Sequence, residues 1–163
     1  MGLKDSGFPV LPVSKFRSIL VPIGNLVAHI MPRSLPVLVV DDTEICRRGT
    51  ALLLNQLGFE SEMAQDGADA LERVKVGKYA AVIIDYDMKD MSGAQCTAVI
   101  RTLEMGTIYR LPVIGMTSHR ENEVISKCLE SGMDAVLTKD CQSEELLEVL
   151  EPLIFSHSSN STV

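Results

Sequence analysis

Six polar residues stand where short apolar runs end: Asp41 and Asp42 after VLVV, Asp85 after AAVII with Asp87 two places on, Thr117 after VIGM, and Lys139 after AVLT. A carboxylate attacks a phosphoryl donor without a general base, provided that the oxygens of the transferred group are neutralised. Metal, ammonium and hydroxyl do that together. Asp85 supplies the nucleophile, Lys139 the cation and Thr117 the hydroxyl. Carboxylates gathered at one place (Asp41, Asp42, Asp85 and Asp87) raise one another's pKa and do not all stay ionised unaided. A divalent cation resolves this. Hard carboxylate oxygens with no Cys or His beside them favour magnesium or manganese, with a phosphate as a further ligand.

Bringing these residues together falls to the segments between them. From Pro36 onward, short apolar runs alternate with longer amphipathic stretches. Strands are expected at 37–40, 59–64, 80–84, 112–116 and 135–138, and helices at 44–57, 67–76, 93–104, 121–131 and 143–154. The run 80–84 is apolar without a break, as in a strand buried on both faces. Ile45, Leu52, Leu53 and Leu57 share one face of the first helix, and Ala68, Leu71 and Val74 one face of the second. Gly58 stops the first helix, Gly132 closes the fourth, and Ser143 caps the fifth.

Five strands alternating with five helices make a parallel, doubly wound α/β sheet, since each crossover is right-handed. The five-stranded, flavodoxin-like order 2-1-3-4-5 fits this length, and its ligands sit beyond the carboxyl ends of the strands at the switch point. Strand two, at the edge, brings no reactive residue there.

The 163 residues suit one core of ordinary size. Hydrophobic residues at 46%, charged residues at 23% and no Trp describe a globular chain with an aliphatic core. A net charge of -7 argues against direct nucleic-acid binding, which draws on clustered Lys and Arg. Cys46, Cys96, Cys128 and Cys141 fall at no zinc-ligand spacing, and a reducing cytoplasm is the default. The apolar run 18–31 is shorter than the roughly 20 residues of a bilayer span and is broken by Pro22, Gly24, Asn25 and His29, so no membrane anchor is expected. Residues 1–35, basic and punctuated by Pro, read as a poorly ordered leader or linker, with a targeting peptide as the alternative. Residues 36–155 then form the domain, and 156–163 a Ser-rich tail.

The strings VLVVDDTEICRR, AAVIIDYDMKDMSG, LPVIGMTS and GMDAVLTKD, in that order, resemble the receiver domain of response regulators and hybrid histidine kinases. The resemblance implies that Asp42 binds the metal directly and Asp41 supports it through water. Asp85 would be both metal ligand and phosphorylation site, and Asp87 would offer its backbone carbonyl. Thr117 and Lys139 would contact the phosphoryl oxygens, with threonine movement reporting to the surface of the fourth helix, fifth strand and fifth helix. A histidine kinase or histidine phosphotransfer protein is the implied partner, and the only chemistry is self-catalysed transfer to and from Asp85.

Three positions depart from the family's pattern. Lys89 stands where proline is usual, which predicts a more flexible loop carrying an extra positive charge. Asp140 replaces the proline that follows the lysine through a cis bond. A cis bond before a non-proline residue costs about 3 to 4 kcal/mol, so this turn is expected to be trans or strained, with Asp140 competing for the ammonium of Lys139. Val136 replaces the aromatic switch residue, which removes the usual coupling to threonine.

Singly, each site residue has an ordinary explanation. Asp42 or Thr43 would cap the first helix, Ser118 or Thr117 the fourth, and Lys139 would be a solvated charge. The combination favours a site, and Asp85 weighs most, because a carboxylate closing an apolar strand must find a partner. His119 reads as a surface residue; the cysteines, Met88 and Met91 read as packing. The expected function is a phospho-acceptor module of a phosphorelay, whether a single-domain regulator, a phosphate sink or the receiver of a hybrid kinase. One alternative is a degenerate receiver that binds partners without phosphorylation. Another is a phosphatase, since Asp85-Tyr86-Asp87 resembles the nucleophile motif of the haloacid-dehalogenase-like family. That motif lies on the first strand there, whereas here it closes the third and an acid pair precedes it.

Overall fold

A computed structural model describes residues 35–158 of the chain. The elements are β1 (Val37–Val40), α1 (Glu44–Gln56), β2 (Ser61–Ala64), α2 (Gly67–Val76), β3 (Ala81–Asp85), α3 (Gly93–Leu103), β4 (Val113–Thr117), α4 (Asn122–Glu130), β5 (Ala135–Thr138) and α5 (Ser143–Ser158). The leader expected at 1–35 lies outside the described residues except for Leu35. Of the tail expected at 156–163, the backbone of 156–158 continues α5 beyond the expected end at 154, and the rest lies outside.

The five strands form one parallel sheet in the order β2-β1-β3-β4-β5, the flavodoxin-like arrangement expected from the sequence. Alternation along the strands divides the core between two layers. Leu38, Val40, Val82 and Ile84 face α2 and α3 and pack with Leu71, Cys96 and Ile100. Val37, Val39, Ile83 and Ile114 face α1 and α5 and pack with Leu54, Leu146 and Leu150. Burying such an aliphatic side chain contributes about 1.5 to 3 kcal/mol, and both layers together hold the strand ends in place.

The helix faces differ from the sequence reading in two places. In α1, Ala51 and Leu54 are buried, Leu53 and Leu57 pack at their flanks, and Ile45 and Leu52 stay exposed. A helix lying on a sheet touches it along a narrow stripe, and Ile45, in the first turn, projects past that stripe. In α2 the buried set is Gly67, Ala70 and Leu71 with Val74 beside it, while Ala68 is exposed.

Helix ends are set by local chemistry. Ser92 and Gln95 form a reciprocal capping box that starts α3. Gly58 and Gly132, at φ of 79° and 101°, take the left-handed conformation just past α1 and α4, which no side-chain-bearing residue adopts cheaply. Ser143 proves to be the first helical residue of α5 and not its cap. The N–H of Gln142, one place earlier, is satisfied by Glu145 Oε2 at 3.2 Å.

Candidate functional site

β1 and β3 are adjacent at the point where strand order reverses, so their carboxyl ends open into one crevice. Asp41 leaves β1 there and Asp85 ends β3. On the other flank, Asp85 pairs with Met116, which places Thr117 one residue further along the neighbouring strand, opposite Thr138. Lys139 follows Thr138, and its N–H donates to the Thr117 carbonyl at 2.9 Å. Its ammonium donates to Asp85 Oδ1 at 2.9 Å and to Asp41 Oδ2 at 3.1 Å, closing a contact between residues 98 positions apart. Asp41, Asp85 and Thr117 are only 6%, 3% and 1% exposed. Burial on that scale requires each polar group to be partnered.

Backbone donors complete the setting. The N–H of Thr43 donates to Asp41 Oδ1 at 2.8 Å, and that of Asp87 to Asp85 Oδ1 at 3.3 Å. Thr117 Oγ1 accepts from the N–H of His119 at 3.0 Å, so its own proton remains to be donated elsewhere. Gly93 lets α3 begin against β3: a Cβ there would overlap the carbonyl oxygen of Asp85, and the glycine N–H donates to the Tyr86 carbonyl at 3.0 Å.

Charge at this point is unbalanced. Carboxylate oxygens of Asp41, Asp42 and Asp85 lie within 4.8 Å of one another, and one ammonium faces them. Burial pushes the Asp85 carboxyl above its ordinary range. Lys139 pulls it back, and the negative charge of Asp41 pushes it up again. Burial lowers the Lys139 ammonium, but hydrogen bonds and charge from Asp85 and Asp41 outweigh it, and the net direction is up. The excess negative charge and the all-oxygen donor set suit a hard divalent cation such as magnesium. From this crevice a cleft of about 350 Å³ runs beside α1 and reaches Cys46 and Cys141.

The ordinary explanations do not describe these residues. Thr43 is the N-cap of α1 but makes no side-chain capping bond, the N-cap of α4 is Glu121 and not Thr117 or Ser118, and Lys139 is engaged by two carboxylates. Asp87 turns its carboxylate away from the acidic cluster to His119 Nε2 at 3.0 Å. His119 is at the surface as expected, yet it joins two loops across the crevice mouth.

Of the three departures, the Lys89 loop differs from expectation, and the turn at Asp140 is trans as expected but engages a different partner. Lys89 uses the N–H that proline would lack to donate to Asp42 Oδ2 at 3.2 Å, which ties down the loop expected to be more flexible. The peptide before Asp140 is trans, and the Asp140 carboxylate does not compete for Lys139; it pairs with Arg120 Nη2 at 2.5 Å. Val136 packs half-buried against the core layer of α2 and α3. Sequence reasoning also missed Arg47, whose guanidinium donates to the Asp41 carbonyl from the first turns of α1. Only the helical phase of that segment would have revealed it.

Comparison with known proteins follows this geometry. The family model described as "Response regulator receiver domain" matches residues 37–151. The chain is 39% identical over 114 residues to "Sensor histidine kinase RcsC" of Salmonella typhi, a match covering 70% of this chain and 12% of that protein. The receiver domain of sensor histidine kinase PA1611 of Pseudomonas aeruginosa PAO1, solved with magnesium coordinated in its active site cleft, is 26% identical at a TM-score of 0.67 and covers 74% of this chain and 98% of that one. Chemotaxis protein CheY4 of Vibrio cholerae is likewise 26% identical, at a TM-score of 0.66, covering 73% and 98%.

Proposed function

Because this chain belongs to the response regulator receiver domain family, we propose that Asp85 accepts a phosphoryl group from a histidine kinase or histidine phosphotransfer protein and that the modified domain changes its affinity for partners. The observation that carries this reading is the Lys139 ammonium set between Asp85 and Asp41, with Thr117 on the adjoining strand. An Asp85 carboxylate oxygen attacks phosphorus in line, forming the new O–P bond, while the bond from phosphorus to the donor atom breaks and its electron pair leaves with the donor. No general base is needed, because the nucleophile is already ionised. Lys139 and the Thr117 hydroxyl neutralise the equatorial oxygens as the group transfers. Asp41, Asp42, Asp85 and the Asp87 carbonyl would hold a magnesium or manganese ion, which supplies further neutralisation of the phosphoryl oxygens when bound.

The receiver would occupy residues 36–155. The cytoplasm suits its four cysteines, which include Cys96 and Cys128 buried as free thiols. Self-catalysed transfer to and from Asp85 is its whole chemistry. No helix among the described residues is long and apolar enough to cross a membrane. A degenerate, phosphorylation-independent receiver is the second reading, and Val136 in the aromatic switch position favours it.

Incubation with magnesium and acetyl phosphate, followed by intact mass, separates the two. A single phosphoryl adduct on the wild type that disappears in Asp85→Asn is the expected result. A wild type that remains unmodified, and that binds neither magnesium nor beryllofluoride, would leave the degenerate reading in its place.

A further inference from the structure

Lys139 reaches Asp85 from a tight turn, and that turn is fastened by groups outside the acidic cluster. The N–H of Cys141 donates to the Thr138 carbonyl at 3.0 Å, closing the turn around Lys139 and Asp140, and Gln142 Nε2 donates to the Asp140 carbonyl at 3.2 Å. The Asp140 carboxylate is held by the Thr138 hydroxyl and by the Arg120 guanidinium, which keep it below the usual carboxylate range. Arg120 lies three residues after Thr117, in the loop between β4 and α4. The segments that carry Thr117 and Lys139 are therefore joined twice, through the main chain at Lys139 and through the Arg120–Asp140 pair at 2.5 Å beyond it. On its other flank the same loop is tied to Asp87 by His119.

Both members of this pair are largely exposed, and an exposed ion pair adds little to folding stability. Its consequence is geometric. Displacing a charged group by about 1 Å from its transition-state position slows a transfer appreciably. We propose that Arg120 and Asp140 are positioning residues that hold the turn so that the Lys139 ammonium meets Asp85, and that they thereby set the rate at which Asp85 takes up phosphate. The inference rests on the reading of Asp85 as phospho-acceptor.

The test follows phosphoryl uptake by the full chain from acetyl phosphate with magnesium, read by intact mass over time, with thermal midpoints measured alongside. Wild type is compared with R120A, D140A, the double variant R120A/D140A and the charge swap R120D/D140R. Each single variant should slow the initial rate by about two- to fivefold, the range that an exposed pair can supply. The double variant should be no slower than the slower single, and the swap should recover most of the loss. Midpoints should stay at the wild-type value. The gap between wild type and R120A should narrow near ~1 M salt, where screening acts over about 3 Å, which a merely structural role would not produce. Wild-type rates in both single variants, or losses that multiply in the double variant and are not recovered by the swap, overturn the proposal. A wild type that takes no phosphate removes the acceptor reading and this inference with it, whereas labelled variants that match a labelled wild type remove this inference alone.

Discussion

Two groups of charged side chains, at opposite ends of the sheet, both set carboxylates against cations and come to different ends. At the amino end, Arg101 donates to both oxygens of Glu104 at 2.9 and 2.8 Å, to Asp134 Oδ2 at 2.9 Å, and to the carbonyls of Gly132 and Leu111 at 2.9 and 2.8 Å. Arg110 covers the other Asp134 oxygen at 3.1 Å, and the N–H groups of Val113 and Leu111 complete the two carboxylates. Two acids meet two guanidiniums there. At the carboxyl end three aspartates meet one ammonium. The first group is saturated and fastens the ends of α3 and α4 to β4; the second keeps an unmet demand for positive charge. Stoichiometry, more than residue type, separates a staple from a site.

The comparison breaks most visibly at the two central cations. Removing the ammonium with Lys139→Ala should slow phosphoryl uptake by about 100- to 1,000-fold, the usual effect of losing one preorganised electrostatic donor, as read by intact mass at fixed acetyl phosphate. Arg101→Ala should act on folding instead. Leaving Glu104 and Asp134 with their main partner gone should cost about 3 kcal/mol in urea unfolding, with the uptake rate of the folded protein unchanged. Its half-exposed companion Arg110 should cost only about 0.5 kcal/mol when replaced by Ala.

Cation addition sharpens the contrast. Magnesium at about a hundred times its Kd should stabilise the wild type by ~2.7 kcal/mol in thermal unfolding, and much less in Asp42→Ala. A smaller effect belongs to pH. Asp85 has a raised pKa in the folded state, so its stabilising contribution is fully present below the unfolded carboxylate value and fades as pH rises through the folded one. Without divalent cation, Asp85→Asn should therefore gain stability over the wild type as pH climbs out of the acid range, and the gap should level off above it. A gap that shrinks with rising pH would contradict this account of Asp85.

Much of this contrast was legible in the chain. Strands β1, β3, β4 and β5 announced themselves as apolar runs, and the reactive residue after each run followed from period and position. The Arg101 staple and the Arg120–Asp140 pair were not legible, because each joins loops whose meeting depends on the folded path and not on spacing. The same limit hid the N–H of Lys89, a donor visible only as the absence of proline. Ile45 and Leu52 were misplaced for a simpler reason: helical spacing shows that apolar residues share a side, and the sheet decides how narrow that side is.

Gly93 has a bearing on movement. With α3 seated directly against the carbonyl of Asp85, the acceptor has a wall behind it that leaves its main chain no space to recoil when new negative charge arrives. Whatever gives way must do so across the crevice, in the loops that carry Thr117 and Lys139. A single missing methyl would thus direct the mechanical response of the domain toward one side.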